Sequence, residues 1–271
     1  MDVKDKVKEY WEDRAKQHAG NTAATTNDIY LRELEIATLV DTLQSINLSP
    51  GSLVLDVGCG DGYSTLRIAE ALPGVSFLGI DYADNMIGTA MGRLESQKGL
   101  ADRVKFKVGD VMALDQVCGN SIYDAVISDR CLINLDSFAS QSHAIGEIAR
   151  HTKSGGYYVA IENFVEGHEQ MNRARHAVGL PEIAINWHNL YFKEYEFVQI
   201  ALRFFENTVF KDFSSSYYFA TRVIYSAMCQ MHGEAPDYQH DIHKIAVRLP
   251  WMGQFSPIRM AVLRRGTEGA C

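Results

Sequence analysis

From Leu53 onward the chain alternates between short apolar runs and amphipathic stretches. The runs are Leu53–Val57, Ser76–Ile80, Val104–Val108, Ala125–Ser128 and Tyr157–Ile161. Between them apolar residues recur on a helical period, as in Leu66, Ile68, Ala69 and Leu72, and again in Ile145, Ile148 and Ala149. Strands separated by helices of this length predict βαβ units and an α/β fold with a parallel sheet. Upstream, residues 3–19 and 28–46 predict two helices. The second carries Ile29, Leu34, Ile36, Leu39, Val40 and Leu43 on one period, and Pro50-Gly51 stops it. A polar loop, residues 20–27, joins the two.

After Glu162 the alternation breaks. Residues 164–205 are polar and aromatic, with helical stretches near 166–178 and 193–205, followed by an expected strand at Thr208–Asp212. A helix near 217–232 leads into a loop-rich stretch holding Pro236, Pro250 and Pro257, and Arg259–Leu263 is the last expected strand. There is no internal repeat and no low-complexity linker. These patterns predict one domain with a lid: a helical lid at 1–50, a core at 51–163, a substrate-lid insert at 164–207, and at 208–271 the rest of the core sheet with a helical and loop insertion.

Composition narrows the function classes. Of 271 residues 46% are hydrophobic and 22% charged, with a formal net charge of −8. That balance argues against a general nucleic-acid or anionic-membrane surface, which needs clustered Lys and Arg. The first residues are charged and helical in pattern, without the apolar core of a signal peptide, and no run approaches a membrane span. Cys59, Cys118, Cys131, Cys229 and Cys271 form no CxxC pair and read as reduced, mostly buried thiols. A cytoplasmic protein is expected, with a homodimer left open. His240 and His243 are spaced for a shared metal, but no Cys or HExxH companion is nearby, so no metal is expected.

The candidate chemistry starts at Asp56-Val57-Gly58-Cys59-Gly60-Asp61-Gly62, where an apolar strand runs into a glycine turn and then a helix. Such a turn presents backbone to a closely approaching small ligand. A dinucleotide fingerprint places a third glycine where this chain has Tyr63, which counts against a nicotinamide oxidoreductase. Asp81 ends the second strand, where a carboxylate can hold ribose hydroxyls. Gly109-Asp110-Val111 follows the third, and Asp124 and Asp129 bracket the fourth. Asp124, at a strand start, reads as structural.

Together these motifs resemble the class I S-adenosylmethionine-dependent methyltransferases over Leu53 to Glu162, including the fifth-strand turn Lys153-Ser154-Gly155-Gly156. The resemblance implies a Rossmann-like, mostly parallel seven-stranded sheet with helices on both faces, and S-adenosylmethionine as cofactor. It implies that Asp56, Gly58 and Gly60, with Cys59 between them, flank the methionine moiety. Asp81 would bind the ribose, Tyr82 and Met86 would pack on the adenine, and Asp110 and Val111, after Gly109, would recognise its edge. Asp129 and Arg130 would lie beside the methionine and the acceptor.

The activated methyl makes alignment of the acceptor the protein's main task, and a hydroxyl acceptor gains from a general base. Glu162-Asn163 ends the fifth strand; Arg173, Arg175 and His176 follow, then Trp187-His188-Asn189-Leu190-Tyr191. The pair Arg130–Leu135 and Trp187–Asn189 is similar to a bacterial subgroup acting on sugars and other small hydroxyl or phosphonate acceptors. That similarity implies O-methylation of a small sugar-like or anionic molecule, with His188 as base and Arg130 or Arg175 holding an anionic group. Glu162 is the reserve base, and His168 and His176 read as solvated. Asn163, Trp187 and Tyr191 are candidate acceptor contacts, as are Tyr10 and Trp11, which with Arg14 fit a lid helix. Ser214-Ser215-Ser216-Tyr217-Tyr218 reads either as pocket lining or as a helix N-cap. N-methylation of a small amine, or cofactor binding without catalysis, are the alternatives.

Overall fold

The computed structural model describes residues 2–18 and 24–267. Residues 20–23 of the expected polar loop, and Cys271, lie outside the described residues. Seven strands form one sheet: β1 (Leu53–Val57), β2 (Ser76–Asp81), β3 (Val104–Val108), β4 (Tyr123–Asp129), β5 (Thr152–Asn163), β6 (Asn207–Lys211) and β7 (Ile258–Arg264). Their order is β3-β2-β1-β4-β5-β7-β6. β7 runs antiparallel to both its neighbours and the other pairs are parallel. The mostly parallel, Rossmann-like sheet implied by the sequence is the one observed.

Both faces are covered, which is why the central strands read as continuous apolar runs rather than alternating ones. Val54, Phe77, Ala125 and Val159 face α2 (Ile29–Ser45), α3 (Tyr63–Ala71) and α4 (Asp84–Glu95). Leu55, Val57, Val126 and Tyr158 face α5 (Leu114–Cys118), α6 (Phe138–His151) and, further along the chain, α8 (Glu194–Ala201). Leu39 and Leu43 of α2 are fully buried; each side chain contributes about 1.5–3 kcal/mol by leaving water. Asp28 caps α2 by accepting from the Leu31 N–H. The first helix, α1 (Val3–Gln17), packs against α4.

Three elements depart from the expected pattern. β5 begins at Thr152 instead of near Tyr157, because the chain leaves the β4 ladder between Thr152 and Tyr157 through Gly155, at φ +76°. α8 stops at Ala201, short of the expected 205. The single helix expected near 217–232 is three pieces: α9 (Ser215–Tyr218), a π-helical segment over Phe219–Tyr225, and α10 (Ser226–His232). In the π segment the Thr221 hydroxyl donates back to the Tyr217 carbonyl, a bond that competes with the helical ladder. α7 (Val165–Ala177) and α11 (Asp241–Ala246) pack on this segment.

Candidate active site

The glycine turn after β1 is built from backbone conformations that side chains resist. Gly58, Gly60 and Gly62 all have positive φ, at 74°, 54° and 72°. A Cβ on Gly58 would lie 2.4 Å from Cys131 Sγ, and one on Gly62 would lie 2.7 Å from Ala90 Cβ. Most of the turn's N–H groups are committed internally. Those of Gly58 and Cys59 both donate to the Ile80 carbonyl, that of Gly60 to Asp81 Oδ2, and that of Tyr63 to Asp61 Oδ1. A pyrophosphate needs such donors unengaged, so the turn suits a ligand held by shape and by carboxylates.

Carboxylates hold the turn in place. Asp61, fully buried, pairs with Arg32 at 2.6 Å and Arg93 at 2.9 Å. Asp56 accepts from the Thr65 hydroxyl of α3, and burial pushes its carboxyl up to about 7. Asp81 joins the turn to the start of α4 by accepting from Gly60 N and Ala83 N. Burial raises Asp81 to about 6, those two backbone donors opposing the rise.

A cavity of about 590 Å³ opens at the C-terminal ends of these strands, the place where open α/β sheets take ligands. Gly58, Gly60, Asp81, Tyr82, Met86 and Asp129 line one side. α1 covers it with Tyr10, Trp11 and Arg14. The helix is tied down at several points: Glu12 accepts from the backbone N–H of Asp84 and Asn85 at the start of α4, Lys4 pairs with Asp110, and Trp11 Nε1 donates to Asn134 Oδ1.

The other side draws on α2, the end of β5 and the two later inserts. Arg130, in the left-handed region at φ 54°, has its Nε 3.1 Å from Glu35 Oε1 and 3.6 Å from Asp129 Oδ1. Glu35 is fully buried, and burial raises its carboxyl to about 8 against the opposing pull of Arg130. Arg222 of the π segment lies over the rings of Tyr238 and Tyr218, at 4.8 and 5.3 Å, and donates to Asp28. Tyr218, Tyr238 and Arg222 all line the cavity.

His188 lies where α1 meets the insert. Its ring stacks on Tyr10 at 4.5 Å, and Trp11 and Trp187 meet it edge-on at 5.7 and 5.4 Å. Burial lowers its pKa below the usual 6.5, so the imidazole is neutral at neutral pH. Its Nδ1 is buried with no hydrogen-bond partner among the described residues. A neutral, half-buried imidazole at the wall of a cavity has the chemistry of a proton acceptor.

A model of the methyltransferase domain matches residues 48–199. The chain belongs to the methyltransferase domain family. Demethylmenaquinone methyltransferase of Leptospira interrogans is 36% identical over 118 residues, 43% of this chain and 45% of that protein. Sterol 24-C-methyltransferase ERG6B of Gibberella zeae is 30% identical over 118 residues, 44% of this chain and 29% of that one. The chain thus matches less than half the length of these curated relatives. Magnesium protoporphyrin IX methyltransferase of Synechocystis PCC 6803, solved with bound S-adenosylmethionine, superposes with a TM-score of 0.60 at 17% identity, covering 98% of each chain. At that identity the likeness shows the fold.

The cavity brings together Gly58, Gly60, Asp81, Tyr82, Met86, Asp129, Arg130, Asn163, His188 and Tyr191 of this methyltransferase domain with Tyr10 and Trp11 of α1. Asp56, Cys59, Gly109, Asp110 and Val111 are not among its lining residues. Asp56 and Cys59 are buried behind the turn. Asp110 caps the 3₁₀ turn at Val111–Ala113, and Gly109 N donates to the Asp81 carbonyl. Trp187 is 61% exposed, edge-on to Tyr10.

Arg175 is a correction. Its guanidinium is buried away from the cavity and donates to the carbonyls of Pro181 and Arg222, which pins the loop after α7. His168 is another, for it is buried and lines the cavity, with Nε2 accepting from Asn172 and its ring edge-on to Tyr191. Glu162 also lies off the cavity. It accepts from Ser128 Oγ and from the N–H groups of Leu132 and Ile133, and burial lifts it to about 7. The three serines hold the 250–258 loop instead of capping α9, Ser215 and Ser216 donating to Met252 O and Pro250 O. Asp124 is structural as expected, accepting from Leu53 N and Lys153.

Glu35 and Arg222 were missed by the sequence reasoning. Glu35 had a legible signal, since Leu31, Glu35 and Leu39 fall at i, i+4 and i+8, which puts a carboxylate on the buried stripe. Arg222 had none, because its placement depends on the π turns. Among the described residues no cluster of three or more His, Cys, Asp or Glu could hold a metal, and no helix is long and apolar enough to cross a membrane.

Proposed function

We propose that the cavity binds S-adenosylmethionine against the glycine turn and that the chain transfers its methyl group to a hydroxyl of a small sugar-like or anionic acceptor. The observation that carries this reading is continuity. One cavity is lined both by Gly58, Gly60, Asp81 and Asp129 and by His188, with its unpartnered Nδ1.

The donor set fits the cofactor. Side-chain-free glycines allow close approach, Asp81 offers carboxylate oxygens for ribose hydroxyls, and Asp129 offers one for an amino group. Tyr82 and Met86 supply apolar surface for a base. When bound, the cofactor supplies an activated methyl on a sulfonium. His188 then takes the proton of the acceptor hydroxyl, and its lowered pKa keeps it unprotonated for that step. Tyr10 and Trp11 exclude water. We assign residues 1–50 and 164–207 to the cover over the core. Anion binding falls to Arg222 in place of Arg175. On the acceptor side Asp28 is engaged by Arg222, an arrangement that favours a hydroxyl acceptor over a cationic amine.

Calorimetric titration with S-adenosylmethionine and its demethylated product, followed by methyl-transfer assays on matched hydroxyl and amine acceptors, tests this. Binding of both forms and transfer to hydroxyls is expected. Transfer to amines alone, or binding without any transfer, overturns it.

A further inference from the structure

Asn163 ends β5 in a position fixed from both sides. Its carbonyl accepts from Phe192 N at 2.9 Å, and Val165 N returns a bond to Phe192 O. This zips the strand end to the segment that carries Tyr191 and, three residues earlier, His188. The Asn163 side chain lines the cavity but is only 5% exposed. Its Oδ1 is buried with no partner among the described residues. A buried carbonyl left unpaired is costly, and native structures avoid it unless something arrives to donate. Two residues that line the acceptor side thus each hold a buried polar atom without a partner among the described residues, Asn163 Oδ1 and His188 Nδ1.

We propose that Asn163 is a specificity residue that reads a second hydroxyl, so that the acceptor is a polyol or polyphenol giving one hydroxyl to His188 and another to Asn163. The surroundings fit such a molecule. Tyr191, Tyr218, Met171 and Ile183 offer flat apolar surface for a ring, and Arg222 offers a cation for any oxyanion on it. This rests on the methyl-transfer reading and narrows it. A mono-alcohol would leave Oδ1 unpaired, and a site built around a hydrogen bond rejects the analogue that lacks the donor.

The test uses the full chain loaded with demethylated cofactor and the probes phenol, catechol, resorcinol, cyclohexanol and methyl α-glucopyranoside. Binding is read by calorimetry and by crystal soaks. At least one polyhydroxyl probe is expected to bind roughly tenfold or more tighter than its mono-hydroxyl counterpart, with a hydroxyl on Asn163 Oδ1. Asn163→Leu should erase the preference while cofactor affinity holds, and Asn163→Asp, which keeps an acceptor there, should retain it. Equal binding of mono- and polyhydroxyl probes to the unmodified chain overturns the proposal. So does failure of every probe to bind, or a preferred probe seated without a donor on Asn163. If Asn163→Leu does not fold, the wild-type preference and the soaked position still decide. Failure of the methyl-transfer reading is separate: it shows as absent cofactor binding, or as a bound polyol that is never methylated.

Discussion

On its proposed cofactor side the cavity is shaped by backbone, and on its proposed acceptor side by side chains. Gly58, Gly60 and Gly62 are held at positive φ by the turn itself, and Asp81 is fixed by the N–H of Ala83, two residues on, and by that of Gly60 in the turn. The acceptor side assembles Glu35 from α2, Arg130 from the end of β4, Asn163 from β5, His188 from an insert and Arg222 from a π segment. The first arrangement is local in sequence and leaves motifs. The second exists only once distant elements pack, so it leaves few. The two sides should also fail differently, one in cofactor affinity and the other in turnover.

The sharpest separation is expected from His188→Ala. Loss of a general base lowers turnover by about 10²-fold or more, while cofactor affinity, measured by titration, stays within about twofold. Near-normal turnover would remove the proton-accepting role. Loss of both properties together would show that the ring stacked on Tyr10 acts mainly to hold α1 in place.

Next in size is Asp81→Ala, which should weaken cofactor binding by more than about tenfold. The carboxyl, pushed up to about 6 by burial, also sets a pH dependence. On the proposed reading its ionised form accepts from the cofactor, so affinity should fall by about tenfold per pH unit below 6 and stay flat above. The opposite sign applies to the ligand-free fold. The folded carboxyl holds its proton up to about 6 and the unfolded one only to 3.8, so this group's stabilising contribution is present below 3.8 and lost as pH rises to about 6. In Asp81→Ala the affinity break near 6 should vanish; its persistence would assign it to another group.

These contrasts explain what the sequence disclosed. The sheet, its helices on both faces and the glycine turn were legible because period and punctuation are short-range properties. Tyr63, used to exclude a dinucleotide, proves to carry Arg32 over its ring at 4.5 Å and to donate to Glu33. The position carried a packing role as well as an exclusion. Glu162 looked like a reserve base because it ends a strand, yet its oxygens face the N–H groups of Leu132 and Ile133, a contact between residues about thirty apart. His168 looked solvated because the helix around it is polar, and it is buried only because Asn172 and Tyr191 close over it.

The smallest expected effect concerns Arg175, and it tests whether the acceptor side was reassigned correctly. The subgroup resemblance implied that this guanidinium, or that of Arg130, holds an anionic substrate. The structure buries it against two backbone carbonyls, of Pro181 and Arg222. Arg175→Met keeps much of the buried stem and removes those bonds, so a stability loss of about 1–3 kcal/mol is expected, read as a fall of a few degrees in Tm. At temperatures well below that transition, KM for an anionic hydroxyl acceptor should stay within about twofold, because the group reaches no cavity surface. A large rise in KM with Tm unchanged would return Arg175 to the substrate. A rise that tracks the fall in Tm would instead trace to the Arg222 carbonyl it holds, the one route by which this buried residue can reach the cavity.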